Sequence, residues 1–372
     1  MLERLVWAEI NVRNFLYNIS CVKKIVGSHV KIMAVVKANA YGHGAVELAK
    51  VAEKFGVDYF GIVCLYEARQ LREAGIHTPI LVLNYIDEES VEACVDLNVT
   101  LNVMDEKLLS RLDKVARKKG KRVPIHVKVD TGMHRLGLQP EEALRYIPKI
   151  EQYKNIKLEG VFTHFATSDE KNLSFTYSQL KTFNTLLSAL AKNGVRVPIV
   201  HAANSAATLR VPSAHYDLVR PGVILYGLAP SGDFPLPFIP KPVMALKTKI
   251  VQLRQIAKGE TVGYGRTFTA VKPTRVASLP VGYADGFRRA PNNWGSVLVN
   301  GQFAPLIGRV SMDQSSIDVT AIRAARVGDE VVLIGIQGKH LLTAELVAKT
   351  LGTINYEVTS AIASRVSRVY FL

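Results

Sequence analysis

The chain has 372 residues and a formal net charge of +15, with 48% hydrophobic and 21% charged residues. This composition is typical of a folded protein long enough for two domains, and it excludes a disordered or fibrous chain. There is no run of about 18 uncharged apolar residues, and the N-terminus is charged, so we expect neither a membrane span nor a signal peptide.

Short β-rich runs alternate with helical patterns up to about residue 230. The predicted strands lie at 31–36, 59–64, 79–84, 100–104, 124–129, 159–163, 198–201 and 217–220. Helical patterns between them lie at 44–55, 66–74, 106–119, 140–152 and 176–193. Eight strand–helix alternations predict a parallel (β/α)8 TIM-like barrel, an α/β fold. A doubly wound open sheet remains an alternative, although no GxGxxG motif follows the first strand.

The predicted helix at 106–119 leads into the densest basic run of the chain, Lys114 to Arg122, with six basic residues. Such a run is usually the solvated face of a helix. No nucleic-acid-binding module or ladder of aromatic residues accompanies it, so we expect no nucleic-acid partner. The positive field suits an anionic cofactor and a substrate carboxylate better.

A second region begins after residues 230–242, PSGDFPLPFIPKP, which contain five prolines in thirteen positions. Beyond this predicted boundary MALKTKIVQL (244–253) alternates with period two, and Asn300-Gly301 predicts a β-hairpin. Only one helix, at about 343–351, interrupts the β-rich pattern. We therefore predict a barrel domain at 1–236 and a mostly antiparallel β domain at 237–372, on which the first ten or so residues could pack.

Polar residues follow several predicted barrel strands, where barrel enzymes place their active sites. Lys37 ends the first strand, and a buried lysine with a lowered pKa is the residue type that forms Schiff bases with carbonyl compounds. After the fifth strand, Lys128 and Asp130 share one side of the chain and Arg135 follows closely. Two basic residues and a carboxylate so close together predict a polar network for an anionic ligand.

The loops after the seventh and eighth strands have features of a phosphate site. Ser205 stands at a predicted helix start, where free N–H groups favour an anion. Gly222, in Arg220-Pro221-Gly222, would let the backbone approach a phosphate closely. Each feature alone also fits an ordinary turn. A lysine after the first strand and a phosphate site after the last two together describe a pyridoxal phosphate pocket.

Nine segments of the chain resemble those of alanine racemases, the fold type III class of pyridoxal-phosphate-dependent enzymes. They are AVVKANAYGHG (34–44), HVKVDTGMHRLG (126–137), THFA (163–166), HAANSAA (201–207), VRPGVILYG (219–227), VGYGRTF (262–268), LPVGYADGF (279–287), GRVSMDQ (308–314) and TINYEV (353–358). The match extends from near residue 5 to the C-terminus, and the segments occur in the family's order and spacing.

The resemblance implies an isomerase that interconverts L-alanine and D-alanine and supplies D-alanine for peptidoglycan synthesis. It implies a homodimer with shared sites, in which Lys37 binds pyridoxal 5'-phosphate and is one base, and Tyr264 of the partner subunit is the other. The implied cofactor-binding residues are Lys37, Tyr41, His164, Ser205, Arg220, Gly222 and Tyr356. The implied substrate-binding residues are Arg135, Met312, Asp313 and Tyr283, and Lys128 matches a lysine often carbamylated (N6-carboxylated) in the family. We expect no metal, and three cysteines without metal-ligand spacing fit a reducing cytoplasm.

Racemisation requires two bases, because a proton leaves one face of Cα and another arrives at the opposite face. Arg220 is expected to donate to the pyridine nitrogen of the cofactor and so disfavour its protonation. A decarboxylase of the same fold type is an alternative, but those enzymes usually carry an acidic residue there. A racemase of broader specificity also remains open. A non-catalytic cofactor carrier resembles the barrel alone, and residues 243–372 argue against it.

Overall fold

The computed structural model describes residues 4–372, and its elements up to residue 226 build the predicted alternation of strands and helices. In chain order these elements are β1 (Val6–Asn11), α1 (Val12–Val26), β2 (Lys31–Val35), α2 (Lys37–Tyr41), α3 (Ala45–Phe55), β3 (Tyr59–Ile62), α4 (Leu65–Glu73), β4 (Ile80–Val82), α5 (Val91–Asp96), β5 (Thr100–Asn102), α6 (Glu106–Lys118), β6 (Val123–Lys128), α7 (Pro140–Tyr146), β7 (Ile156–Phe162), α8 (Ser174–Lys192), β8 (Ile199–His201), α9 (Ser205–Arg210) and β9 (Leu218–Val219). Short 3-10 turns lie at Ile147–Gln152, Pro212–Ala214 and Val223–Tyr226.

The first sheet has eight parallel strands in the order β8-β7-β6-β5-β4-β3-β2-β9. Its two ends meet, since the amide of Asp217 donates to the carbonyl of Val200 at 3.1 Å and that of Arg220 to Ala203 at 2.9 Å. The predicted (β/α)8 TIM-like barrel is therefore confirmed, and a doubly wound open sheet is excluded. The carboxyl ends of all eight strands lie at one end of the barrel.

The barrel helices form where apolar residues recur at helical spacing. In α6, Leu108, Leu109 and Leu112 are buried, while the side chain of Asp105 caps the first turn by accepting from the amide of Leu108 at 2.7 Å. The helix predicted at 140–152 is instead α7 followed by the 3-10 turn that starts at Ile147, with Pro148 as its second residue. Within residues 4–372, no helix has the length and apolar character needed to cross a membrane.

The second half of the chain is mostly antiparallel β-structure, as predicted, but it contains two helices where the sequence pattern predicted one. Its elements are β10 (Met244–Lys249), β11 (Gln252–Ile256), β12 (Thr261–Val262), β13 (Phe268–Thr269), β14 (Thr274–Leu279), β15 (Ser296–Val299), β16 (Gln302–Ile307), β17 (Ser315–Asp318), β18 (Glu330–Gln337), β19 (His340–Leu342), α10 (Ala344–Leu351), α11 (Asn355–Ser360) and β20 (Ser367–Phe371). The alternating pattern at 244–253 covers β10 and the start of β11, which residues 250–251 separate.

The larger sheet follows the order β11-β14-β17-β16-β15-β18-β10-β1-β20, with β19 beside β18. Asn300 and Gly301 both have positive φ, 49° and 73°, and join β15 to β16 as the predicted hairpin. The first strand of the chain, β1, lies in this sheet and pairs antiparallel with β10 and parallel with β20. The chain therefore starts in the second sheet before it enters the barrel.

Candidate active site

A cavity of about 720 Å³ lies at the carboxyl end of the barrel strands. It is lined by nine of the residues that the sequence singled out, although these are spread over more than 300 positions of the chain. They are Lys37, Tyr41, Lys128, Arg135, His164, Ser205, Arg220, Gly222 and Tyr356. The last of these comes from α11 in the second half, so both halves of the chain form this cavity.

Directly after Lys37 the backbone makes a left-handed turn. The four residues 38–41 have φ between 51° and 55°, which costs about 1–2 kcal/mol for each residue that carries a Cβ. The carboxylate of Glu67 stabilises the start of this turn by accepting from the amides of Ala38 at 2.7 Å and Val63 at 2.9 Å. The buried ring of His43 contacts the carbonyls of Ala40 and Tyr41 at 3.0 Å through Nδ1. Strained backbone held by such contacts is typical of functional sites.

Four cationic side chains, Lys37, Lys128, Arg135 and Arg220, line the cavity, and the pKa values of the two lysines are lowered there. Burial and the charge of Arg135 lower the pKa of Lys37, while Glu67 opposes this effect. Burial, then Arg135 and Arg220, lower the pKa of Lys128 to about 8. A larger fraction of both amines is therefore neutral, and only a neutral amine attacks a carbonyl or carbon dioxide.

Arg220 is buried, and four protein atoms fix its guanidinium group. Nη2 donates to the carbonyls of Thr163 at 2.8 Å and Ala202 at 2.9 Å and to Nδ1 of His164 at 3.2 Å, and Nη1 donates to Nδ1 of His201 at 2.8 Å. Burial lowers the pKa of Arg220 to about 9, so the group is a cation at neutral pH. No acceptor among residues 4–372 takes its Nε–H, so this N–H can donate to a ligand in the cavity.

One corner of the cavity is built around Gly222. Its amide donates to the hydroxyl of Ser205 at 2.8 Å, and a Cβ placed on it would lie only 2.6 Å from the hydroxyl oxygen of Tyr41. Glycine is therefore required here if Tyr41 is to keep its place. Tyr356 lines the same cavity, and burial raises its pKa, so its hydroxyl stays protonated and can donate. Three hydroxyl groups converge with backbone at this corner, which is a donor set suited to a phosphate group.

Asp130 does not face the cavity as a free carboxylate. Its Oδ1 accepts from the amides of Gly132 at 2.8 Å, Met133 at 2.9 Å and His134 at 3.1 Å. It shapes the loop that leads to Arg135, which is exposed at the cavity wall. The expected polar network thus consists of Lys128 and Arg135, and Asp130 supports the loop that carries Arg135.

Four other residues that the sequence singled out lie outside this cavity. Tyr264 is 68% exposed, Met312 54% and Tyr283 43%, and Asp313 is exposed as well. Arg365 holds Asp313 at 2.7 Å and the buried Asp285 at 2.8 Å. Backbone hydrogen bonds from 283 to 311 and from 284 to 312 join the two segments. Within one chain, none of these four residues lines the cavity that contains Lys37.

Sequence reasoning did not single out Glu67, which holds the turn after Lys37, or His126 and Glu159, which are linked to Arg220 through His201. His126 is two residues before Lys128 on β6, and alternation alone places both on the same side of the strand. The alternation along β6 could therefore have indicated His126 from the sequence. Glu67 gave none, because its role depends on a backbone conformation that no pattern predicts.

A barrel with a lysine after its first strand, a buried arginine and a hydroxyl-lined corner has the side chains suited to an enzyme site for a carbonyl-containing phosphate. Two family models cover nearly the whole chain. The N-terminal domain of alanine racemases matches residues 10–230, and the C-terminal domain matches residues 243–370. The chain belongs to the alanine racemase family.

Relatives and solved structures agree with this assignment. The chain is 43% identical to alanine racemase 2 of Caldanaerobacter subterraneus over 97% of this chain and 94% of that protein. It is 42% identical to an alanine racemase of Methanococcus maripaludis over the full length of both. Among solved structures it resembles alanine racemase of Clostridium difficile 630, with a TM-score of 0.95, 40% identity and coverage of 100% and 97%. An alanine racemase of Bacillus anthracis with bound L-Ala-P has the same TM-score at 36% identity, with coverage of 100% and 96%.

Proposed function

We propose that this protein is a pyridoxal-phosphate-dependent alanine racemase that interconverts L-alanine and D-alanine, which would supply D-alanine for peptidoglycan. The observation that carries the proposal is the common cavity of Lys37, Arg220 and the Ser205–Gly222 corner in a chain that matches the family in both halves. The three cysteines are free, which suits a protein of the reducing cytoplasm.

The residues present fit the cofactor. Lys37, with its lowered pKa, would bind the carbonyl carbon, and Arg220 would donate to the ring nitrogen through its Nε–H, which no protein group uses among residues 4–372. Ser205, Tyr41 and the backbone at Gly222 would hold the phosphate, together with Tyr356, and His164 would lie against the ring. When bound, pyridoxal phosphate stabilises the negative charge that develops on the substrate Cα as its proton leaves.

The protein must then hold one base on each face of Cα. Lys37 supplies one face from within the cavity. Tyr264 does not line the cavity of its own chain and is 68% exposed, so we propose that it supplies the opposite face in a partner subunit. Such sharing requires a symmetric homodimer in which the β domain, 237–372, of one subunit covers the barrel, 1–236, of the other.

Substrate recognition would likewise be shared between the cavity of one subunit and residues of its partner. Arg135 at the cavity wall would bind the alanine carboxylate through its fork of N–H groups. Met312 and Asp313, held in place by Arg365, would approach from the partner, with Tyr283 at the opening of the site. We further propose that Lys128 is carbamylated. A negative carbamate on Lys128 would reduce the positive charge of the cluster and could bind and orient Arg135.

Arg220 distinguishes the racemase from a decarboxylase of the same fold type. A cation that donates to the ring nitrogen keeps it unprotonated, which limits the electron-withdrawing power of the ring. The remaining alternative, a racemase of broader specificity, concerns the same chemistry. Assays with serine beside alanine separate the two.

Mixed dimers test the shared site. Lys37→Ala and Tyr264→Phe homodimers should each be nearly inactive, because every site lacks one base. In a mixed dimer one site carries both mutations and the other carries neither. Random exchange at equal amounts gives about half mixed dimers, so roughly a quarter of native alanine racemisation should return.

The control is Tyr177→Phe, which changes a half-exposed tyrosine on α8 and should leave racemisation unchanged on its own. Subunit exchange is verified separately by mass spectrometry with isotope-labelled chains. If exchange is complete and no activity returns, Tyr264 serves its own chain or is not the second base. If wild-type protein loaded with pyridoxal phosphate does not racemise alanine, the proposed function is wrong.

A further inference from the structure

A chain of buried hydrogen bonds leads from Arg220 through the inside of the barrel towards its opposite end. Nη1 of Arg220 lies 2.8 Å from Nδ1 of His201. Nε2 of His201 lies 2.7 Å from Nδ1 of His126, and Nε2 of His126 lies 3.4 Å from Oε2 of Glu159. Both histidines are fully buried. Strands β6, β7 and β8 thus each contribute one residue to a single connected row.

Arg220 at one end and Glu159 at the other together set the direction of the hydrogen bonds in this row, because a guanidinium group only donates and a carboxylate only accepts. A guanidinium group only donates, so Nδ1 of His201 must accept, and Nε2 must carry the proton of the neutral ring. That proton is donated to Nδ1 of His126, which leaves Nε2–H of His126 facing Glu159. Burial lowers the pKa of both histidines, and the charge of Arg220 lowers them further, so both rings are neutral.

Glu159 ends the row as a carboxylate. Burial alone would raise its pKa, but hydrogen bonds from His126 and Tyr59 and the charge of Lys157 hold the pKa below its ordinary value. Its side chain is 14% exposed and lines a cavity of about 330 Å³ with Tyr59. The row therefore joins a buried cation at the candidate active site to a carboxylate beside a separate cavity.

The backbone leaves room for these rings. A Cβ on Gly160 would lie 2.6 Å from Cε1 and Nδ1 of His126 and 2.8 Å from the carbonyl of Ile199. The register of β6 and β7 also shifts between Ile125 and His126, a strand irregularity of the kind that re-aims a side chain. The ring of His201 stacks on Phe162 at 4.7 Å between centroids with an interplanar angle of 7°. Both rings are thus held in one orientation.

We propose that Glu159 and His126 are positioning residues for the reaction, which fix His201 as an acceptor towards Arg220 and so hold its guanidinium group in place as a cation. Without the acceptor at Glu159, each histidine ring could carry its proton on Nδ1 instead of Nε2. An N–H at Nδ1 of His201 would then point at Arg220, and one of the two groups would have to move. The proposal extends the proposed function and rests on it for the effect on catalysis, whereas the tautomers are a property of the chain itself.

The first test is made on the protein without cofactor. Selective ¹⁵N labelling of histidine and long-range ¹⁵N–¹H spectra show which ring nitrogen carries the proton, with signals assigned through His126→Asn and His201→Asn. We expect protonated Nε2 and bare Nδ1 in both rings of the wild type. Glu159→Gln, whose amide oxygen can still accept, should keep this pattern, and Glu159→Leu should mix the tautomers.

The second test separates positioning from packing. In the enzyme loaded with pyridoxal phosphate, Glu159→Leu should lower kcat for alanine racemisation about tenfold with a smaller change in KM, the size expected for a lost hydrogen bond to a charge. Glu159→Gln should recover most of that loss. Glu151→Leu removes an exposed carboxylate just before β7 and is the control for charge, with no expected change.

The outcomes are distinct. An Nδ1–H on His201 in the wild type overturns the proposal, and this measurement does not depend on any variant folding. Unchanged tautomers in Glu159→Leu, or equal kcat in the Leu and Gln variants, also overturn it. The expected tautomers in a wild type that does not racemise alanine would instead reject the proposed function and leave the assigned row of hydrogen bonds standing.

Discussion

Lys128 offers a direct test of the electrostatics at the cavity. It is 6% exposed, and burial lowers its pKa most; the cations Arg135, Arg220 and Lys37 lower it further, while Asp130 raises it. The fall from 10.5 to about 8 means that the charged amine destabilises the folded state by about 3 kcal/mol. Lys128→Met keeps a flexible chain of similar length without the charge. In buffer free of carbon dioxide, the variant should therefore be more stable than the wild type at pH 7 by up to that amount.

The pH dependence has a definite sign. Below pH 8 the amine is charged in both the folded and the unfolded chain, so the wild type carries the whole penalty. Between about 8 and 10.5 the folded state loses the proton first, and the unfolding free energy of the wild type rises with pH. The advantage of Lys128→Met should thus disappear above pH 10.5, while titrating groups that do not interact with Lys128 are shared by the two proteins and cancel.

Urea denaturation of both proteins at pH 7 and pH 10 measures this difference. Added bicarbonate should stabilise only the wild type, because a carbamate on Lys128 replaces a positive charge with a negative one among cations. An advantage of the Met variant that does not change with pH would refute the electrostatic reasoning. So would a Met variant that is less stable than the wild type at pH 7 without bicarbonate.

Two further predictions concern Lys37 and the turn that follows it. Borohydride reduction of the protein loaded with pyridoxal phosphate should fix the label on the peptide containing Lys37, and a label on any other lysine would contradict the assignment. Glu67→Leu removes the acceptor for the amides of Ala38 and Val63 and should cost about 2 kcal/mol. Amide hydrogen exchange should then accelerate at residues 38–44, less so in Glu67→Gln, and unchanged exchange would show that Glu67 does not hold the turn.

The sequence by itself determined the architecture of the barrel and the residue types at its carboxyl end. Apolar runs of four to six residues between helical patterns predicted the eight strands. A strand that is buried on both faces is apolar along its whole length, so it is recognised as a continuous run and not as an alternation of polar and apolar residues. Asn300-Gly301 predicted its hairpin because both residues tolerate positive φ. The motifs around Lys37 and Arg220 predicted which residues share a cavity, since parallel strands present their carboxyl ends together.

Only the tertiary structure decided which residues support that cavity. Period-two alternation assigns a side chain to a face of a strand and says nothing about its neighbour, so the row from Glu159 through His126 and His201 could not be read from the chain. The same holds for β1, whose partners β10 and β20 lie more than 230 residues away. The left-handed turn after Lys37 runs against the intrinsic backbone preference of alanine and tyrosine. It is stabilised by Glu67, which is distant in sequence, and by the buried ring of His43.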